Sequence, residues 1–169
     1  STRRGAAANH YRTMSQAELI RYALPPLAPD ALVFLWRVAA QQRAALDLAE
    51  SWGVRPVSEI VWHKTTKAGR SRIGMGSTVR AAHEVAIVCV KGRPSRVVRD
   101  RSIPSVFQAR RRQHSEKPAE FYALMEKLCE GPYTDVFGRR ARAGWTVVGD
   151  EIPGGIQTCT HTLRATSAR

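Results

Sequence analysis

The chain is short of the residues that staple or anchor a fold from outside. Its three cysteines, Cys89, Cys129 and Cys159, are odd in number and fit no metal spacing. That excludes a disulfide framework and points to a reducing compartment. No apolar run is long enough to span a membrane, and the N-terminus lacks a signal-peptide pattern. The expected location is therefore cytoplasmic, with no membrane partner. There is no internal repeat, and no Ser-His-Asp or Cys-His arrangement stands out. Carboxylates are scarce: 14 Asp and Glu face 27 Lys and Arg, a net charge of +13. An excess of this size suits a polyanion such as nucleic acid, the alternative being a solubilising surface.

What is present supports one domain. A chain of 169 residues with 43% hydrophobic content can bury a full core. The positive charge is clustered. Lys91, Arg93, Arg96, Arg99, Arg101, Arg110, Arg111 and Arg112 share their stretch with a single acid, Asp100. A second group, Lys64, Lys67, Arg70, Arg72 and Arg80, surrounds a Gly-rich loop. Contacts from such groups to phosphates give affinity and salt dependence without sequence information.

The coarse pattern alternates strands and helices. Ser15 to Ala23 reads as a helix, with Ser15 and Glu18 spaced as a capping box. Ala31 to Val38 is a nearly continuous apolar run, as expected of a strand covered on both faces. Ala39 to Trp52 has helical spacing of Ala45, Leu48, Ala49 and Trp52, then Gly53 as a stop. Glu59 to Lys64 is a strand, residues 65–80 a long loop, and His83 to Lys91 another strand ending at the Gly92 turn. Ser105 to Ala109 is a short strand. Lys117 to Cys129 is a helix with Pro118 in its first turn and Phe121, Leu124, Met125 and Leu128 on one face. These elements imply an α/β fold with a mainly parallel sheet and helices on both faces. Residues 1–152 form the expected domain and 153–169 a Gly-, Thr- and Ser-rich tail. Trp36 and Trp62, both in apolar strands, read as core residues. His83 reads as a buried strand histidine with a structural hydrogen bond, and His114 has no partner at metal spacing.

Two late segments carry a cofactor signal. Asp135-Val-Phe-Gly-Arg-Arg140 reads as a strand ending in glycine. Trp145-Thr-Val-Val-Gly-Asp-Glu151 reads as a second strand ending in two carboxylates. A glycine lets backbone approach a cofactor, and an acid ending the next strand holds ribose hydroxyls. Alone, a core strand ending in Gly is common.

Together the segments resemble the MT-A70 family of S-adenosylmethionine-dependent adenine N6-methyltransferases, especially its small bacterial and phage members. The resemblance runs from about Tyr11 to Glu151. It rests on Tyr11-Arg-Thr-Met14, Leu32-Val-Phe-Leu-Trp36, Trp62-His-Lys-Thr65 and Gly74-Met-Gly76. It continues through Arg80-Ala-Ala-His-Glu84, Val90-Lys-Gly-Arg-Pro94, His114-Ser-Glu-Lys-Pro118, Phe137-Gly-Arg139, and Trp145 with Gly149. It implies a Rossmann-like methyltransferase sheet with the cofactor-binding strands late in the chain. The implied reaction is methyl transfer from S-adenosylmethionine to adenine N6, in DNA rather than RNA; a homo- or heterodimer is compatible with it, and the sequence does not give the oligomeric state.

The resemblance also assigns residues. Lys64 and the loop after it would close over the target base, with Glu84 as an acid beside that loop, and these two are the catalytic candidates. Ser115, Lys117, Phe137, Gly138, Arg139, Asp150 and Glu151 would hold the cofactor. Lys117, expected to begin a helix, would meet the cofactor carboxylate. The clustered charge, not the resemblance, makes Lys67, Arg70, Arg72, Arg80, Arg93, Arg96, Arg99 and Arg101 the nucleic-acid candidates. One departure stands out. The family's Asp-Pro-Pro-Trp motif, which grips the target amino group, is absent from these residues. The motif is expected on a strand upstream of Ser1, since a sheet lacking a central strand would expose two edges. The alternative is an inactive relative that presents nucleic acid to an active partner.

Overall fold

The computed structural model describes residues 14–76, 78–111, 116–149, 152 and 155–158. It divides the chain into two units, Ser1–Cys129 and Glu130–Arg169. The expected sites at Ser115, Asp150 and Glu151, together with Tyr11, His114 and Cys159, lie outside the described residues.

In the first unit, α1 (Gln16–Arg21) opens with the expected capping box. Ser15 Oγ accepts the Glu18 amide at 3.3 Å, and the Glu18 carboxylate accepts the Ser15 amide at 2.7 Å. Strand β1 (Ala31–Arg37) leads through a 3-10 turn at Ala39–Gln41 into α2 (Gln42–Ser51). Gly53 then takes φ +68°, a left-handed conformation that ends the helix and turns the chain into β2 (Arg55–Thr65). Next come β3 (His83–Lys91), β4 (Val106–Arg110) and α3 (Ala119–Leu128).

The four strands form a sheet in the order β1-β3-β2-β4. It is mixed, which corrects the expectation of a mainly parallel sheet. β3 runs antiparallel to both β1 and β2, and only β2 and β4 are parallel. The cause is local. Among the described residues nothing helical lies between β2 and β3, so the chain returns as a long hairpin, and parallel pairing needs a crossover. β1 and β2 do not pair but point the same way on either side of β3, and α2 makes that crossover.

Helices do cover both faces of this sheet. Alternation along a strand sends odd and even positions of β1 to opposite sides. Val33 and Leu35 pack with Ala45 and Ala49 of α2 around Ile87 and Cys89. Phe34 and Trp36 meet Phe121 of α3, with ring centroids 5.9 and 4.8 Å apart. β3 is buried from Val85 to Val90, whereas every residue of β1 is only half-buried. Both faces of β1 are thus packed, as its apolar run implied, and its partial exposure comes from its place at the edge of this sheet.

The turn after β3 is pinned by Asp30. Gly92 has φ +61°, and a Cβ there would lie 2.3 Å from both the Asp30 carboxylate and the Pro29 carbonyl. The same carboxylate accepts the Arg93 amide at 2.7 Å and the Arg96 guanidinium at 3.1 Å. The Arg93 amide and then Arg96 hold the Asp30 carboxyl below its ordinary range.

In the second unit, β5 (Tyr133–Val136), β6 (Trp145–Val148) and β7 (Ile156–Thr158) form a sheet in that order. β5 and β6 are parallel, as a nucleotide-binding pair requires, and β7 is antiparallel to β6. β7 falls in the segment expected to be a tail. Tyr133 and Trp145, opposite each other in register, stack at 4.8 Å. Among the described residues, no helix is long and apolar enough to cross a membrane.

Candidate active site

The end of β2 and the start of β3 lie side by side, with Trp62 opposite Glu84. Lys64, two residues beyond Trp62, shares its face. The segment before α3 brings Lys117 to the same place. One Glu84 oxygen meets the Lys64 ammonium at 2.8 Å and the other meets Lys117 at 2.5 Å. The three side chains are 17%, 26% and 23% exposed for Lys64, Glu84 and Lys117, so the cluster is sheltered but reachable.

Beneath it lies an aromatic floor. The Lys117 ammonium stands 4.4 Å from the Trp36 ring centroid, and that of Lys64 stands 5.4 Å from Trp62. Both rings attract a cation through their negative faces. Trp36 meets Trp62 edge-on at 6.4 Å and Phe121 at 4.8 Å. Trp62 is buried and donates its indole N–H to the Ala109 carbonyl at 2.9 Å. It is a core residue, as its apolar strand implied.

Burial alone would push the Glu84 carboxyl up. The charge and hydrogen bond of Lys117, then the hydrogen bond and charge of Lys64, overcome this and hold it below the ordinary glutamate range. Glu84 is therefore ionised, and the three residues carry a net charge of +1. Each carboxylate oxygen keeps a second lone pair, and each ammonium keeps further protons, so the cluster can both accept from and donate to a polar ligand.

The geometry revises two expectations. Lys117 does not begin α3: Pro118 is the N-cap and Ala119 the first helical residue. The Lys117 ammonium is bound to Glu84. His83 is exposed at the start of β3 rather than buried. It is His63 that has a side-chain partner, Ser71 Oγ at 2.9 Å.

Residues 66–82 form the hairpin connection and are held by their own backbone. The Lys64 amide donates to the Ala82 carbonyl and the Arg72 amide to the Lys64 carbonyl, both at 2.8 Å. Further out, the Gly74 amide donates to the Ala81 carbonyl at 2.8 Å, and Arg80 Nε to the Gly74 carbonyl at 3.2 Å. Lys67, Arg70, Arg72 and Arg80 are all exposed on this loop. Arg93, Arg96, Arg99 and Arg101 are exposed on the β3–β4 connection. Arg96 already pairs with Asp30.

In the second unit, Phe137 follows β5 with φ +63° and is 49% exposed. A bulky residue held left-handed is strained, and such strain collects at ligand sites. Gly138 is buried for a reason internal to the unit. A Cβ there would lie 2.3 Å from Val147 Cγ1 and 2.7 Å from the Asp135 carboxylate. A Cβ on Gly149 would lie 2.1 Å from the Gly138 carbonyl. Both glycines thus close the β5–β6 packing. Arg139 is half-buried. These strand ends still offer what a nucleoside-bearing cofactor requires. An exposed ring and a half-buried arginine follow the carboxyl end of β5, and such strand ends are where open α/β sheets bind ligands.

The Glu84–Lys117 link was missed in the sequence, although a signal for it exists. Glu84 is the only carboxylate between Glu59 and Asp100. A lone acid at a strand start among many cations is bound to be shared.

Comparison with known proteins adds the family context. The MT-A70 family model matches residues 2–151. An Arabidopsis thaliana protein named N(6)-adenosine-methyltransferase MT-A70-like is 32% identical over 160 residues, 92% of this chain and 23% of that protein. The human N(6)-adenosine-methyltransferase catalytic subunit METTL3 is 30% identical over 149 residues, 85% of this chain and 26% of its own length. The Cryphonectria parasitica N6-methyladenosine RNA methyltransferase MTA1 is 30% identical over 135 residues, 75% of this chain and 39% of its own. The chain thus spans about a quarter of the plant and human relatives.

Proposed function

The chain belongs to the MT-A70 family, and on that premise we propose that it transfers a methyl group from S-adenosylmethionine to N6 of an adenine in nucleic acid. The observation that carries this reading is the Lys64–Glu84–Lys117 cluster on its tryptophan floor, assembled from three separate segments. The names of the relatives support the reaction. An RNA substrate is favoured by the name of the fungal relative. The expected DNA preference and small prokaryotic type rested on likeness to bacterial and phage members, while these relatives are plant, animal and fungal. The human relative's name, a catalytic subunit, supports the expectation of a dimer.

The exocyclic amine of adenine is a poor nucleophile because its lone pair is delocalised into the ring. Hydrogen bonds that draw its protons out of the plane restore nucleophilicity and fix the line of attack. Glu84 supplies an acceptor at the strand end, and Lys64 a donor for a ring nitrogen. S-adenosylmethionine, when bound, supplies the methyl group as a cationic sulfonium. Two bare ammoniums would repel that charge. Glu84 lowers the local charge from +2 to +1, and the remaining cation suits a carboxylate or phosphate. Phe137, Gly138 and Arg139 are the proposed cofactor contacts of the second unit, and the family resemblance is what proposes Ser115, Lys117, Asp150 and Glu151.

The test uses the full-length gene product with DNA and RNA oligonucleotides containing adenine. Calorimetric binding of S-adenosylmethionine and the appearance of N6-methyladenine after digestion are the expected results. Binding of both ligands with no methylated base identifies an inactive, nucleic-acid-presenting subunit instead. Absence of cofactor binding overturns the proposal and leaves a basic nucleic-acid protein.

A further inference from the structure

We propose that the tip of the β2–β3 connection inserts Met75 into the base stack of a nucleic-acid strand, beside the adenine that then leaves the stack towards Lys64 and Glu84. This rests on the function proposed above and names how its substrate is prepared.

The first observation is exposure. Met75 is 92% exposed, Val79 79% and Ile73 50%, and Met75 exceeds every other large apolar side chain described. Loop tips are ordinarily polar, and three apolar side chains held in water on one loop mark a contact surface. The second observation is charge. Residues 65–82 contain Lys67, Arg70, Arg72 and Arg80 and no acid at all. A protein partner could also cover the apolar tip, but four cations without a compensating carboxylate favour a polyanion.

The third observation is construction. The arms of the loop are zipped by backbone bonds as far as Gly74 and Ala81, so the tip is carried outward rather than folded back. Gly76 sits against the Val79 carbonyl, where any Cβ would lie at 2.1 Å, so the turn is closed tightly. Met75 is flanked by Gly74 and Gly76, which carry no side chain to cover it. An unbranched thioether is narrow and polarizable enough to enter between bases, as apolar wedges do in duplexes that are kinked or unstacked. Arg70, Arg72 and Arg80 would meet phosphates on either side. The loop starts from Lys64 and returns to Glu84, so a base displaced at the tip emerges beside the cluster that receives it.

The experiment places 2-aminopurine at successive positions of duplex and single-stranded oligonucleotides and adds the full-length protein. Unstacking raises its fluorescence. The wild type is expected to raise it several-fold at positions next to adenine. Met75→Ser is expected to bind within about threefold of wild type, since the cations that meet phosphates are kept, yet lose most of the rise. Val79→Ser should give an intermediate loss. An undiminished rise in Met75→Ser overturns the proposal. So does dissociation of an oligomer by Met75→Ser in sedimentation without any change in fluorescence, which would make the tip a protein interface. Methyl transfer to single strands is read separately. Its absence alongside Met75-dependent unstacking refutes the enzymatic reading and leaves the wedge standing.

Discussion

Glu84 holds the ammonium of Lys117 at 2.5 Å although 33 residues separate them. This bond ties the start of β3 to the segment that leads into α3. The same carboxylate holds Lys64, so one side chain joins three segments of the first unit. The pair thus has a structural role and a chemical one, and substitution should separate them.

Glu84→Gln leaves two ammoniums facing each other without the charge between them. Charged hydrogen bonds of this kind are worth about 1.5–3 kcal/mol, and the sheltered site screens them less than a surface pair. The expected loss of stability in urea unfolding is about 1–3 kcal/mol. The methylation rate should fall by at least about a hundredfold, as for loss of a group aimed at the reacting amine. A stability loss with an unchanged rate would make the cluster a structural clamp alone.

The dependence on pH follows from the lowered Glu84 carboxyl. Its folded pKa lies below the unfolded value near 4.5. Stability from the cluster is therefore fully present above the unfolded value and is lost as pH falls through the folded one. The gap in stability between wild type and Glu84→Gln should stay constant from neutrality down to about pH 5 and narrow below that. A gap that widens on acidification would contradict the assignment.

Arg37 gives a prediction of the opposite kind. Its guanidinium meets Glu59 at 2.7 Å, with the Arg37 side chain only 10% exposed and Glu59 45% exposed. Its Nε is buried and finds no hydrogen-bond partner among the described residues. Desolvation of that nitrogen offsets what the ion pair contributes, and Glu59 alone would simply be hydrated. Arg37→Met should accordingly change stability by less than about 1 kcal/mol in either direction. A loss of several kcal/mol would show that the pair is indispensable.

Local signals in the sequence were legible. Ser15 with Glu18 gave the cap of α1, Gly53 the end of α2, and the apolar run of β3 its full extent. Pairing direction was not legible. Alternating helices and strands suggest parallel order, but the direct return between Thr65 and His83 forces an antiparallel pair. Lys64 and Glu84 could be singled out as candidates. Their bond to Lys117 depends on how the sheet and the segment before α3 come together, which no local pattern encodes. Gly138 illustrates a further limit. A strand-end glycine reads equally as a cofactor approach or as packing, and only the nearness of Val147 and Asp135 tells which contacts it makes.

The basic residues on the β3–β4 connection should divide by what already binds them. Arg93, Arg99 and Arg101 are exposed, and among these Arg93 spends only its backbone amide on Asp30. Arg96 is exposed too, but its guanidinium is paired with Asp30. Removing one cation from a phosphate should make the slope of log affinity against log salt shallower by about 0.9 on duplex DNA and about 0.7 on single strands. Arg93→Ala, Arg99→Ala and Arg101→Ala should each do so, with equal weakening on unrelated sequences, because phosphates carry no sequence information. Arg96→Ala should shift the slope less, since Asp30 already neutralises much of its charge. It should also loosen the Gly92 turn that the same carboxylate holds. Lys64→Ala should lower the single-turnover methylation rate more than it lowers affinity, because its ammonium belongs to the cluster with Glu84. Affinities measured at several salt concentrations, beside single-turnover methylation, resolve these outcomes. Equal slopes for all four arginine variants and the wild type would remove this connection from the nucleic-acid surface, whatever the fate of the Lys64–Glu84–Lys117 site.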